Sequence, residues 1–206
     1  FFLGVFALVF AMSAVSAVPL AEWSLNITNS GNPINVNGSL TASAFTSTGV
    51  TISTFSDTNG ATANNWTAAT SPDTAKYYQV TLSPQSGASY SLTNVNFIYS
   101  SSEDAFSNFL VQWSKDNFVT PNTITTISNM NSTLQNSNST LSVNVSSGET
   151  LTLRFFGYTA ATSSETFRIK SLNLQGTVTP AVVTPTPTTT PSEITACNAT
   201  GNPGDL

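Results

Sequence analysis

Apolar and polar residues alternate with a period of two along most of the chain between Trp23 and Val178. Trp23, Leu25 and Ile27 share one parity; Tyr78, Val80 and Leu82 share another, opposite Tyr77, Gln79 and Thr81. The same spacing links Val95, Phe97 and Tyr99, then Phe109, Val111 and Trp113, then Leu141, Val143 and Val145, then Leu151, Leu153 and Phe155. A period of two puts each apolar set on a buried sheet face and each Ser/Thr/Asn set in water. Turn-forming stretches separate the runs: Asp57 to Gly60, Ser83 to Gly87, Lys115 to Asn117, and Ser146 to Gly148. Phe167 and Ile169 occupy one parity while Leu172 and Leu174 occupy the other, so a β-bulge is expected at Lys170-Ser171. No stretch has convincing helical spacing. The pattern predicts seven to ten strands in an all-β, antiparallel two-sheet β-sandwich. About 155 residues can build such a core without disulfides.

The ends follow other rules. Residues 1–12 are apolar or small without interruption, and Ser13 to Ala17 supply small residues at the −3 and −1 positions. This is the layout of a secretory signal, so residues 1–17 are expected to form a signal peptide helix cleaved between Ala17 and Val18. Ser13, Ser16 and Pro19 break the run before the roughly 20 apolar residues that a membrane span needs. The sandwich is then expected over 18–178, followed by a disordered Thr/Pro linker over 179–191. Residues 192–206 read as a tail or as the start of a further domain, with the reading frame expected to run upstream of Phe1 and past Leu206. Cys197 would pair with a cysteine of that further domain or stay a free thiol in the tail.

Composition narrows the function classes. Ser, Thr and Asn together make up 84 of 206 residues, whereas Lys and Arg number five, Asp and Glu ten, and His none. Five cations cannot neutralise a useful run of phosphates, so nucleic-acid binding by this segment is not expected. Without histidine, His-based acid–base chemistry is excluded, and one Cys cannot make a zinc site. Seven Asn-x-Ser/Thr sequons occur, at Asn26, Asn37, Asn65, Asn131, Asn138, Asn144 and Asn198. Chance predicts about six at this composition, so they carry no signal for glycosylation.

Several stretches carry a resemblance. Lys76-Tyr-Tyr-Gln-Val-Thr-Leu-Ser-Pro, Leu92-Thr-Asn-Val-Asn-Phe and Phe109-Leu-Val-Gln-Trp-Ser-Lys-Asp resemble the strands of a jelly-roll-like β-sandwich domain of secreted bacterial proteins. Leu153-Arg-Phe-Phe-Gly-Tyr and Thr166-Phe-Arg-Ile-Lys-Ser-Leu-Asn-Leu-Gln-Gly resemble it more closely. Such modules occur in exosortase-sorted (PEP-CTERM) proteins and in type IX secreted surface proteins. The resemblance covers roughly residues 22–178 and implies fold and export, with no binding residues to carry across. The tail from Cys197 to Leu206 resembles the lead-in to a lamin-tail-like domain, which accompanies extracellular nucleases.

Candidate sites are few. Asp57, Asp73, Glu103, Asp104, Asp116, Glu149 and Glu165 all fall in or beside expected turns, where solvated carboxylates are the rule, so no catalytic residue is assigned. A glycosidase would need two of them across one bond. Calcium is the one cofactor with candidate ligands: Asp57 and Asn59, with Glu103 and Asp104 if their loops meet, against ordinary turn chemistry at Asp57 to Gly60. For a carbohydrate ligand the candidates are three rings. Trp66 lies in a polar stretch, and Tyr77 and Phe156 fall on the polar parity of their strands; packing under a loop is the more usual fate of a large aromatic such as Trp66. The expected function is a non-catalytic binding or spacer module, secreted or at the cell surface, touching polysaccharide or extracellular matrix, with no membrane attachment after signal cleavage. The alternative is an accessory N-terminal domain of an extracellular hydrolase, a nuclease among the options, whose catalytic domain lies beyond Leu206. A structural surface-layer or adhesin repeat is a third reading, weakened by the lack of internal repeats.

Overall fold

The computed structural model describes residues 16–26, 30–102 and 107–182, with the backbone alone at Ser107. The expected signal segment up to Val15, Ile27, Glu103, Asp104 and everything from residue 183 on, Cys197 included, lie outside those residues.

Thirteen strands and no helix make up the described residues: β1 Val18–Ser24, β2 Asn35–Val36, β3 Leu40–Ala42, β4 Thr46–Thr48 and β5 Ile52–Ser56. After them come β6 Gly60–Ala63, β7 Tyr77–Pro84, β8 Ser89–Ser101 and β9 Ser107–Ser114. The last four are β10 Asn122–Met130, β11 Gln135–Val145, β12 Leu151–Tyr158 and β13 Phe167–Thr179. The first sheet runs β11-β8-β13-β1-β2, with the β5–β6 hairpin also on β13. The second runs β10-β9-β12-β7-β3, with β4 also on β7. Eight long strands, β1-β13-β8-β11 facing β7-β12-β9-β10, form a jelly roll. Its chain crosses from sheet to sheet after β2, β4, β6, β7, β8, β10, β11 and β12.

The alternating residues meet between the sheets as period two requires. Trp23, Leu25, Tyr78, Val80, Leu82, Val95, Phe97, Phe109, Val111, Leu153 and Phe155 are all buried. Phe97 packs edge-on to Phe155 with centroids 5.6 Å apart, and Phe109 stacks on Phe167 at 5.9 Å. Two buried phenols are satisfied across the core: Tyr78 Oη donates to the Phe167 carbonyl at 2.8 Å and Tyr90 Oη to that of Leu82 at 3.0 Å. Burial pushes both phenols far above their ordinary range. The bulge falls where expected: the β13–β8 register shifts between Ile169 and Ser171, which turns Phe167, Ile169, Leu172 and Leu174 all inward.

Two features differ from expectation. Strands β2 to β6 exceed the seven to ten expected, because pieces of two to five residues rich in Ser, Thr and Asn are too short to show alternation. The β5–β6 hairpin turns at Gly60 (φ +75°), where a Cβ would meet the Ile169 carbonyl oxygen at 2.2 Å, so only glycine lets β6 lie this close to β13. Strand β13 also continues through Thr179, opposite Ser89, one residue into the segment expected to be linker.

Candidate functional site

On the outer face of the second sheet, register lines up one polar row across five strands. Thr46 of β4 lies opposite Gln79 of β7, Gln79 opposite Arg154 of β12, Arg154 opposite Gln112 of β9, and Gln112 opposite Thr123 of β10. Residues directly opposite share a face, so the row extends over four strand spacings, roughly 19 Å. The neighbouring row is more apolar. Thr48 pairs with Tyr77, and Phe156 with Leu110, while the Tyr77 and Phe156 rings meet edge to face at 5.8 Å.

Arg154 is the centre of this face. Its guanidinium carbon stands 4.1 Å from the Tyr77 ring centroid and 4.0 Å from that of Phe118, so the cation lies between two aromatic faces. Nε donates to Gln79 Oε1 at 2.9 Å, which fixes the plane of the guanidinium. Among the described residues nothing accepts from its two terminal nitrogens. They remain available to a ligand.

Phe118 reaches this position through a strained loop. Asn117 (φ 57°) and Phe118 (φ 65°) are both left-handed, at a cost of order 1–3 kcal/mol for such a non-glycine residue. The loop is held by one buried hydroxyl and one carboxylate. Ser114 Oγ accepts from the backbone N–H of Asp116 at 3.0 Å and of Phe118 at 2.9 Å, and Asp116 Oδ1 accepts from the N–H of Thr120 at 3.1 Å. Ser114 also bonds the Asp116 carboxylate, and that bond, followed by the Thr120 N–H, holds the carboxyl below its ordinary value. The Phe118 ring lands edge-on over Phe156 with centroids 6.4 Å apart.

Of the three rings expected to stack on sugar, Tyr77 and Phe156 do lie on the outer face. Tyr77 is half-buried, but Phe156 is only 2% exposed, because Tyr77 and Phe118 cover it; it supports the site from beneath. Trp66 is a correction. It is 3% exposed and packs edge-on to Tyr78 and Phe167 with centroids 5.1 and 5.0 Å away. Its Nε1 donates to the Ala63 carbonyl at 2.9 Å, and Asn65 (φ 66°) turns the chain so that the indole closes the core. Asn65 N–H bonds Ser163 and Thr67 bridges to Tyr158, tying this polar stretch down.

The carboxyls need a second correction. Glu149 is a turn carboxylate, held low by the Ser146 N–H and by Lys115, whose Nζ lies 2.9 Å from Oε1. Glu165 instead is 5% exposed, accepts from the Ala161 N–H, and is pushed up by burial. Asp57 and Asn59 sit in the turn of the β5–β6 hairpin, which Gly60 closes against Ile169 and Lys170, whereas the Ser102 N–H bonds the Thr166 carbonyl. About four residues of β13, roughly 13 Å, separate these levels, and the remaining two candidate calcium ligands are outside the described residues. Among the described residues no three His, Cys, Asp or Glu side chains group as metal ligands, and no helix is long and apolar enough to cross a membrane.

Arg154, Gln79 and Phe118 were not singled out from sequence. Arg154 and Phe156 share parity at i and i+2, so the arginine was within reach of the alternation that marked the ring. Phe118 was not, because its place depends on a loop folding back over the sheet.

No family model matches the chain, and no curated protein matches it. Among solved structures it is similar to a family two carbohydrate esterase from Cellvibrio japonicus, with 14% identity over 70% of this chain and a TM-score of 0.35. The chain spans 36% of that esterase's length. It is also similar to the C-terminal domain of a chitobiase from Bacteroides fragilis (12% identity, 69% of this chain and 96% of that one, TM-score 0.34). A third likeness is to the C-terminal family 22 carbohydrate binding module of Clostridium thermocellum Xyn10B (14%, 73% and 92%, TM-score 0.29).

Proposed function

We propose that the chain is a non-catalytic extracellular module that holds a polysaccharide across the outer face of its second sheet. The observation that carries this reading is the Arg154 guanidinium clamped between Tyr77 and Phe118, its terminal nitrogens open. Sugars present apolar C–H faces and rings of hydroxyls. Half-buried aromatic surface accepts the first, and a row of amides, threonine hydroxyls and one preorganised cation serves the second. A face about five strands wide suits several units of a chain, held with little rearrangement because sheet and loop fix each side chain beforehand. None of the described carboxyls stands on these strands, which supports binding without bond cleavage. The signal-like layout of residues 1–17 and the resemblance of the strand stretches to secreted bacterial modules support reading it as part of a secreted or surface-sorted bacterial protein.

The test is retention of the full chain on insoluble polysaccharides, with chitin, cellulose, xylan and a bacterial peptidoglycan preparation in parallel. Retention on at least one, reduced about tenfold in affinity by Arg154→Ala (some 1.4 kcal/mol), is expected. Retention on none, or equal retention of the variant, rules the site out.

A further inference from the structure

The hydrogen bonds around Arg154 bear on which polysaccharide the outer face holds, because they leave its centre with donors only. A guanidinium carries N–H donors and no acceptor, so the Gln79 atom bonded to Arg154 Nε at 2.9 Å has to be the amide oxygen. That bond fixes the Gln79 amide: Oε1 is used, and Nε2 is left as a donor beside the arginine. The two terminal nitrogens of Arg154 have no acceptor among the described residues, and both reach solvent. Among the described residues no carboxylate forms an ion pair with Arg154. The Asp116 carboxylate, in the loop that carries Phe118, is engaged by the Ser114 hydroxyl and the Thr120 N–H.

The rings then decide how a ligand approaches. Tyr77 at 4.1 Å and Phe118 at 4.0 Å cover the guanidinium, and Gln79 occupies its Nε side, so the edge left open is the one with the terminal nitrogens. That edge is a two-pronged fork of N–H groups, which matches the two oxygens of a carboxylate and holds them in its own plane. A tetrahedral sulfate or phosphate puts oxygens out of that plane, toward the rings. A sugar hydroxyl engages one prong and leaves the other unmatched. One strand along the row the pattern changes. Gln112, opposite Arg154 on β9, donates Nε2 to Thr123 Oγ1 at 3.4 Å, which leaves its Oε1 as an acceptor. The centre therefore suits an anion, and its flank suits a hydroxyl.

We propose that the outer face holds its polysaccharide through a carboxylate carried on that polymer, bound by the Arg154 fork, with Gln79 as the residue that orients the fork. This rests on the polysaccharide reading of the face and adds the class of polymer: acidic rather than neutral. Rings on both sides have already removed much of the water from the guanidinium, so it gives up little hydration on meeting the carboxylate, and the pair is stronger than one between freely solvated side chains. Of the four polysaccharides, xylan substituted with glucuronate and peptidoglycan carry carboxylates, whereas chitin and cellulose carry none.

The test measures binding of the full chain to glucuronate-substituted xylan and to peptidoglycan, each as prepared and with its carboxyls methyl-esterified, beside chitin, cellulose and dextran sulfate. On at least one of the two acidic polymers, esterification is expected to weaken binding about tenfold, the loss of one charge-assisted pair. Arg154→Lys keeps the charge but not the fork, and should also lose about tenfold on that polymer. Gln79→Glu replaces the Nε2 donor by a negative oxygen and should lose at least as much, with circular dichroism confirming that both variants fold. Binding to the xylan supports a uronate as the carboxylate, and binding to peptidoglycan alone supports one of its peptide stems. Equal binding after esterification, chitin or cellulose bound as tightly as the acidic polymers, tighter binding to dextran sulfate, or full affinity in Arg154→Lys would each overturn the assignment. The first two of those results would still leave the face a polysaccharide surface, whereas binding to no polymer would remove that reading and this one together.

Discussion

Arg154 shows how much one residue's surroundings decide its use. On an open strand an arginine is a mobile, hydrated cation; here two rings and Gln79 hold it in a single orientation. Tyr77→Ala removes one wall of that clamp, and about a tenfold loss of polysaccharide affinity is expected with little change in melting temperature, read by binding isotherm and thermal unfolding. Trp66 makes the opposite case. Its substitution by Ala should leave the proposed outer-face site alone but destabilise the fold by about 3–5 kcal/mol in denaturant unfolding, as for other buried tryptophans. Parity along a strand was enough to place Tyr77 and Phe156 on the outer face. It had no hold on Trp66, which lies in an irregular stretch after β6, where burial depends on partners such as Tyr78 and Phe167 that are remote in sequence.

Among the elements, the long strands were legible because each buries one face, and the bulge at Lys170-Ser171 was legible because a phase change in a two-residue period has few other causes. The short strands β2 to β6 were not, since their pairing is dictated by edges already built by β1, β7 and β13. The loop after β9 shows the same limit: its turn was readable at Lys115 to Asn117, its docking of Phe118 was not. Asp116→Ala removes the acceptor for the Thr120 N–H and should loosen Phe118, weakening polysaccharide binding several-fold while the sandwich stays folded, measured by the same isotherms. The loop carboxyls also set a pH dependence. Asp116 and Glu149 are held below their ordinary values of 3.8 and 4.5, so their contribution is present above those values and lost as pH falls through the folded-state values. Glu165 is raised, so its contribution is full below 4.5 and is lost as pH rises through its folded-state value. Chemical denaturation from pH 3 to 8 should therefore show Glu165→Gln gaining on the unaltered chain as pH rises; a pH-independent difference would contradict the assignment.

At the scale of the whole molecule, the jelly roll sets the Arg154 row on the outer face of its second sheet, away from the core. The sandwich class was evident from alternation and turns, because those follow from burial alone. Which face would carry a site was not, since that depends on cross-strand neighbours fixed by register. The central claim is that the outer face around Arg154 is a polysaccharide surface. It is tested most directly by NMR of the isotopically labelled full chain titrated with soluble chitin, cellulose, xylan and peptidoglycan oligosaccharides. The account predicts that at least one of them shifts the signals of Tyr77, Gln79, Gln112, Phe118 and Arg154, and that Arg154→Ala abolishes those shifts. Shifts confined to other faces, or none with any of the four, would contradict it.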